Sequence, residues 1–358
     1  MPEQASRPRS GVSGRKLAAA ASLGAALVLS AVAPAAAEEA ASAVPAEGAP
    51  SSRCQISDGR LAELSGMVAS GNDVLAVNDG GDQVAVHRLD AACSVVDVRT
   101  AAVDPYDPED MALGADGTVW ISDTGDNNLN RPTVALIALR PDGTTGVYRL
   151  AYPDGPRDAE ALLLAPDGTP YLVTKEVLGA SAVYRPAAAL IDGGTVSLVE
   201  VAAVNITLTG TPGGPVGRAG QLMVTGGSVS ATGTHLALRT YTDAYVWPLA
   251  ASDVAAALAA APVHVPLPES PQGEAISFAA DGLQLLVASE GLPSDVTVIP
   301  LPAAVAAVAA SGPSGDVPSL TDLTRSGLSP ITSAVIAAIV ASVVVWFAGL
   351  LGLLRRRP

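Results

Sequence analysis

The chain has 358 residues, 20 Lys and Arg against 35 Asp and Glu, and a formal net charge of -15. That acidic balance excludes nucleic acid as the natural partner. Three His and two Cys are too few for a His/Cys metal centre.

Residues 1–37 read as a secretory signal: Arg7, Arg9, Arg15 and Lys16, then an apolar run, then A-x-A at Ala35–Ala37. Residues 38–51, rich in Ala and Pro, read as a disordered linker. Residues 52–303 form the folded unit, and 304–329 a stalk rich in Gly, Pro and Ser. Residues 330–354 are apolar enough for a transmembrane helix, and the basic tail 355–358 marks the cytoplasmic end. The expected location is the cell membrane, single-pass, with the folded unit outside. Export permits a disulfide, and Cys54 and Cys93 are the only cysteines.

The folded unit repeats. The stretches "EDMALGADGTVWISD", "EALLLAPDGTPYLVTK", "TGGSVSATGTHLALRT" and "EAISFAADGLQLLVAS" begin at Glu109, Glu160, Thr225 and Glu274. Each joins two apolar runs through a D-G or T-G turn, as hairpins do. "ELSGMVASGNDVLAVND", from Glu63, is a looser copy. Third and fourth apolar runs follow most copies, so each unit reads as a four-stranded meander of about 45 to 50 residues. One such sheet cannot bury both faces; copies placed radially can. The predicted class is all-β: a β-propeller with five blades, six remaining open because of the long gap between Glu160 and Thr225. The last copy lacks a fourth strand, and "SRCQISD" is placed to supply it. A Cys54–Cys93 bridge would then tie that closing strand to the first blade.

In a propeller the first strand of each blade lines the axis. Glu63, Glu109, Glu160, Thr225 and Glu274 are therefore expected to converge there. Carboxylates that close repel, and a hard cation with oxygen ligands, Ca²⁺ above all, would relieve the repulsion. The alternative is that each Glu caps backbone N–H groups too far apart to share an ion. The second strands end near the same mouth. They contribute Asp79, Asp123, Lys175 and Arg239, with Asp126 and Asn127 in "SDTGDNN" and Asp158 beside them. Lys175 and Arg239 suit a small anionic ligand such as a phosphate or ester, or else pair with neighbouring acids. No G-x-S-x-G nucleophile motif is present.

The series Glu–Glu–Glu–hydroxyl–Glu, with "ELSGMV" followed by "AVNDGG", resembles the calcium-activated nucleotidase (apyrase) family. The hydroxyl is Thr here rather than Ser. The resemblance implies a five-bladed propeller whose calcium shell is Glu63, Glu109, Glu160, Thr225 and Glu274. "DPEDMA…DGTVWISDTGDNNLNR" and "GEAISFAADG" also look like secreted esterase-like and phytase-like propellers. A metal-dependent hydrolase, a ligand- or surface-protein-binding propeller, and a structural ectodomain of a membrane complex all remain open.

Overall fold

The computed structural model describes residues 48–303 and residue 305. The signal, most of the linker, nearly all of the stalk, the apolar 330–354 segment and the basic tail lie outside the described residues. Among the described residues no helix is long and apolar enough to cross a membrane.

The described chain is nearly all β and propeller-like. β1 (Ser51–Ile56) comes first. β2 (Leu64–Ser70), β3 (Asp73–Asn78), β4 (Val84–Leu89) and β5 (Val95–Ala101) form one antiparallel meander. β6 (Pro108–Leu113), β7 (Val119–Asp123), β8 (Val134–Leu139) and β9 (Thr145–Ala151) form the next. β10 (Ala159–Leu164), β11 (Pro170–Thr174), β12 (Ala180–Pro186) and β13 (Thr195–Asn205) form the third, whose β13 also pairs in parallel with β9. β14 (Val224–Val229), β15 (His235–Thr240), β16 (Asp243–Pro248) and β17 (Val263–Pro266) form the fourth, with the short α1 (Val254–Leu258) before β17. β18 (Gly273–Phe278), β19 (Gln284–Ser289) and β20 (Ser294–Pro300) take β1 as their fourth strand. The expected closing strand is therefore the observed one, and Cys54 on β1 is bonded to Cys93 ahead of β5. Between β13 and β14 lies a loop with one 3-10 turn, Gly217–Gln221, and no further sheet.

Each sheet has two apolar faces because strand side chains alternate. Five apolar cores fill the spaces between neighbours: Met111 and Ile137 against Val77, Leu172 against Leu136, Leu238 against Val173, Ile276 against Val246, and Leu64 against Leu286. The inner strands neighbour one another in the closed order β2, β6, β10, β14, β18. Their backbones run close. A Cβ on Gly66 would stand 2.9 Å from the Asp110 Cα, so a side chain there would push β2 off β6.

Hydrogen bonds stitch this inner ring. Ser65 Oγ donates to the Glu109 carbonyl at 2.6 Å, Thr225 Oγ1 to the Gly273 carbonyl at 2.8 Å, and the Ala69 amide to Ser277 Oγ at 3.0 Å. Asp110, fully buried, accepts from the amides of Met111, Leu162 and Gly227 and so ties three meanders at the axis. Burial pushes its carboxyl up to about 8 against the pull of those three amides.

The D-G turns gather on one face and the starts of the inner strands on the other. β1 runs from the turn face to the opposite mouth and β20 runs back, since Ser51 pairs with Val298 and Ile56 with Ser294. The described chain thus enters and leaves on the turn face.

Candidate metal centre

Every inner strand carries a register shift near its start: between Leu64 and Gly66, Pro108 and Asp110, Ala159 and Ala161, Val224 and Gly226, and Gly273 and Ile276. The four single-residue bulges are Ser65, Glu109, Glu160 and Thr225, and the wider one contains Glu274. A bulge re-aims its side chain out of the ladder, here into the mouth. The first-blade member of the ring is therefore Ser65, not Glu63. Glu63 precedes β2 and is exposed, and its carbonyl accepts from the Asp79 amide. The alignment of Met67 with Met111, each two residues after its bulge, was the available signal.

Three carboxylates converge. Glu109, Asp158 and Glu160 each place an oxygen within 4.8 Å of the other two. Asp158 is set by the Asp126 amide, which donates to its Oδ1 at 2.9 Å. Asp107, unmarked in the repeat, joins them: its Oδ2 and Glu109 Oε1 both crowd the space where Gly125 lacks a side chain. Only glycine leaves that space open.

The electrostatics follow from packing acids together out of water. Burial raises Glu109, and Glu160, Asp107, Asp158 and Glu274 add to it. Burial raises Glu160, as does Glu274, while Lys175 opposes. Glu274 is raised by burial to about 7, with Lys175 and Arg239 pulling down. Burial, then Asp79 and Asp158, lifts Asp107 to about 6. Lys175 ion-pairs with Glu160 Oε1 and lies 5.3 Å from the centre of the Tyr241 ring. Burial would lower its ammonium, but Glu160, Tyr241 and Glu274 outweigh burial and raise it. Glu160 Oε2 and Glu274 Oε2 are buried and have no hydrogen-bond partner.

The other expected binding residues are used differently. Arg239, 2% exposed, spends its guanidinium on the carbonyls of Thr240, Ala275 and Ala288. It braces β15 against the fifth meander and is not presented to a ligand. Burial lowers it to about 10. Asp123 pairs with Arg131 at 2.9 Å and accepts from the Tyr106 and Asp107 amides. Asp126 accepts from the Asn130 and Arg131 amides, closing its own loop. Asn127 is exposed. Asp79 is half-buried and raised by burial, then by Glu63. Thr225 has its hydroxyl committed to Gly273.

A second concave region lies on the opposite face. A funnel of about 590 Å³ opens on the turn face, lined by the inner hairpins of all five meanders, Met111, Trp120 and Phe278 among them. Its carboxylates, Asp116 and Asp167, accept from amides of their own turns, Thr118 and Thr169. Among the described residues, the acids close enough to share a cation are at the other mouth.

No family model matches the chain. No curated protein matches it either. Solved structures similar to it include a gluconolactonase from Xanthomonas campestris, at 18% identity over 64% of this chain and 69% of that one, TM-score 0.38. Another is the PQQ-bound aldose sugar dehydrogenase of Streptomyces coelicolor, at 12% over 72% and 99%, TM-score 0.38. A third is an inactive virginiamycin B lyase from Staphylococcus aureus with quinupristin, at 14% over 66% and 66%, TM-score 0.35. These likenesses are too distant to assign chemistry, which must come from the mouth itself.

Proposed function

We propose that the chain is a membrane-anchored, five-bladed β-propeller whose acidic mouth binds a hard divalent cation and, with it, a phosphate or ester ligand that it hydrolyses. Residues 1–37 would export it and 330–354 would hold it, with 355–358 on the cytoplasmic side.

One observation carries the reading: oxygens of Glu109, Asp158 and Glu160 converge within 4.8 Å, and Glu160 Oε2 is buried without a partner. An unpaired buried carboxylate oxygen is costly, and a cation would satisfy it. The donors are all oxygens, which fits Ca²⁺ or Mg²⁺ and not a thiolate-seeking metal. Glu274 and Asp107 stand beside the three as further oxygens. Ser65 and Thr225, the hydroxyl members of the ring, hold the inner strands rather than the ion.

A cation held there would supply Lewis acidity to a ligand oxygen. Lys175, kept as an ammonium, would donate a hydrogen bond to the oxygen on which negative charge develops. Asp107 would accept the proton of an attacking water. For an ester, the water oxygen bonds to the acyl carbon, the acyl–alkoxy bond breaks, and the proton passes to the departing alcohol. A second reading, a binding propeller without catalysis, is favoured by the ion pair that already occupies one Glu160 oxygen.

The test is thermal unfolding of the full chain in detergent, with calcium and with chelator. A ligand at about 100 times its Kd stabilises by roughly 2.7 kcal/mol. A calcium shift that is lost in Glu109→Gln and Glu160→Gln is expected. Equal melting in calcium and chelator would overturn the site.

A further inference from the structure

The loops around the acidic mouth carry large exposed apolar side chains among their polar ones. Six of the large hydrophobic side chains that are exposed stand on this face: Tyr106, Leu129, Val177, Leu178, Leu208 and Val216. Leu178 is 85% exposed and Val177 58%. Four of them, Val177, Leu178, Leu208 and Val216, lie on two adjoining loops near Lys175. Val177 and Leu178 lie in the turn between β11 and β12, which starts at Lys175. That turn is bonded to the next loop, since the Ile206 amide donates to the Gly179 carbonyl at 2.7 Å, two residues before Leu208. The same loop returns past Val216, where Gly220 sits between the Val216 side chain and the edge of the Tyr241 ring. Tyr241 in turn lies beneath Lys175. Lys175 and the Tyr241 ring thus join the carboxylate cluster to the loops that carry these aliphatic side chains. Scattered exposed hydrophobics need no explanation, but a set on adjoining loops at the rim of a polar site does.

Charge narrows the occupant. The cations acting on the cluster are Lys175, Arg131 and Arg239. Lys175 is paired with Glu160, Arg131 is spent on Asp123 and the Gly125 carbonyl, and Arg239 is buried on backbone oxygens. Arg218, on the Val216 loop, is exposed. Four more carboxylates stand around the three converging ones: Asp107 beside Glu109, Glu274 with its unpartnered Oε2, Glu290 accepting from Gln272, and the half-buried Asp79. With a divalent ion on the three, the centre is close to neutral and its surroundings stay acidic. A phosphate or carboxylate would be repelled by those surroundings. An uncharged carbonyl oxygen can still reach the ion, and its hydrocarbon has aliphatic side chains to lie on.

We propose that the ligand of this mouth is an uncharged ester with an aliphatic body, its carbonyl at the carboxylate cluster and its chain along Val177, Leu178, Leu208 and Val216. The inference rests on the cation-binding reading above and selects within it.

Calorimetric titration of the calcium-loaded full chain in detergent tests it, with ethyl butyrate, ethyl hexanoate, ethyl octanoate and octyl phosphate as probes. A fully buried methylene is worth about 0.8 kcal/mol, so a half-covered chain should tighten binding on the order of tenfold from butyrate to octanoate. Octyl phosphate should bind more weakly than ethyl octanoate. The double variant Leu178→Ser, Val216→Ser should lose the dependence on length and keep the calcium-induced melting shift, both positions being exposed. Equal affinity for all three esters, or tighter binding of octyl phosphate, would overturn the inference while the calcium shift stands. Loss of the calcium shift in the unsubstituted protein would instead overturn the reading beneath it.

Discussion

The Gly227 amide donates to Asp110 Oδ2 at 3.0 Å across 117 positions of sequence. The Leu162 amide reaches the same oxygen at 2.8 Å, so one carboxylate on β6 holds β10 and β14 as well. Each amide left without its acceptor costs about 1–3 kcal/mol.

Asp110→Ala should therefore destabilise by at least about 3 kcal/mol, because three buried amides lose their acceptor. Asp110→Asn keeps one oxygen and turns an NH₂ toward the remaining amide, so about 1–2 kcal/mol is expected. Urea unfolding monitored by circular dichroism measures both. A loss under about 0.5 kcal/mol in Asp110→Ala would show that water replaces the carboxylate.

Lys175 and a bound cation compete for the same Glu160 charge. Lys175→Met removes one partner of a buried pair and should cost about 3 kcal/mol in chelator. Calcium should restore most of that, giving the variant a larger calcium shift than the parent. Equal shifts in the two proteins would mean that lysine and cation do not share the carboxylate.

Cys54 and Cys93 are 39 positions apart in the chain. Closing a loop of that length restricts the unfolded chain by about 4 kcal/mol. Reduction, or the pair Cys54→Ser, Cys93→Ser, should lower the melting temperature, and hydrogen exchange should rise first along β1 and β20. Unchanged exchange there would separate the bridge from ring closure.

Asp243 is completely buried and accepts from four side chains: Thr211 and Thr242 at 2.6 Å, Thr209 at 2.9 Å, and His264 Nε2 at 2.6 Å. Burial alone would raise its carboxyl, but His264 and the three hydroxyls outweigh burial and hold it below the ordinary 3.8. A lowered acid stabilises the fold above its unfolded value and loses that contribution as pH falls through the folded one. Stability should thus drop more steeply below about pH 4 in the parent than in Asp243→Asn, which should already be weaker at neutral pH. Thr209 and Thr211 lie on the Val216 loop, so proteolysis at that loop should appear early in the variant. Parallel acid profiles would remove Asp243 from the account.

Much of the site was legible because its signals are local. Glu109, Glu160 and Glu274 stand at one offset before a D-G turn, and a turn fixes the hairpin that follows it. Lys175 was legible by position at the end of a second strand. Ser65 was hidden because the acidic Glu63 two residues earlier imitates the repeat, and only the bulge shows which residue is re-aimed. Asp107 was hidden because it precedes its strand, and only the folded loop around Gly125 brings it to Glu109. Arg239 looked like a ligand cation because sequence position does not tell whether a long side chain points to solvent or folds back on carbonyls.

The sequence by itself determined the five hairpins, the strand that closes the ring and the cysteine pair that ties it. Apolar alternation, turn residues and spacing act over a few residues and need no tertiary partner to be read. The tertiary structure alone decided which carboxylates meet, which cations are spent, and that the loops with exposed apolar side chains border the acids. Those outcomes depend on where separate sheets bring their ends, at distances that no local rule in the chain encodes.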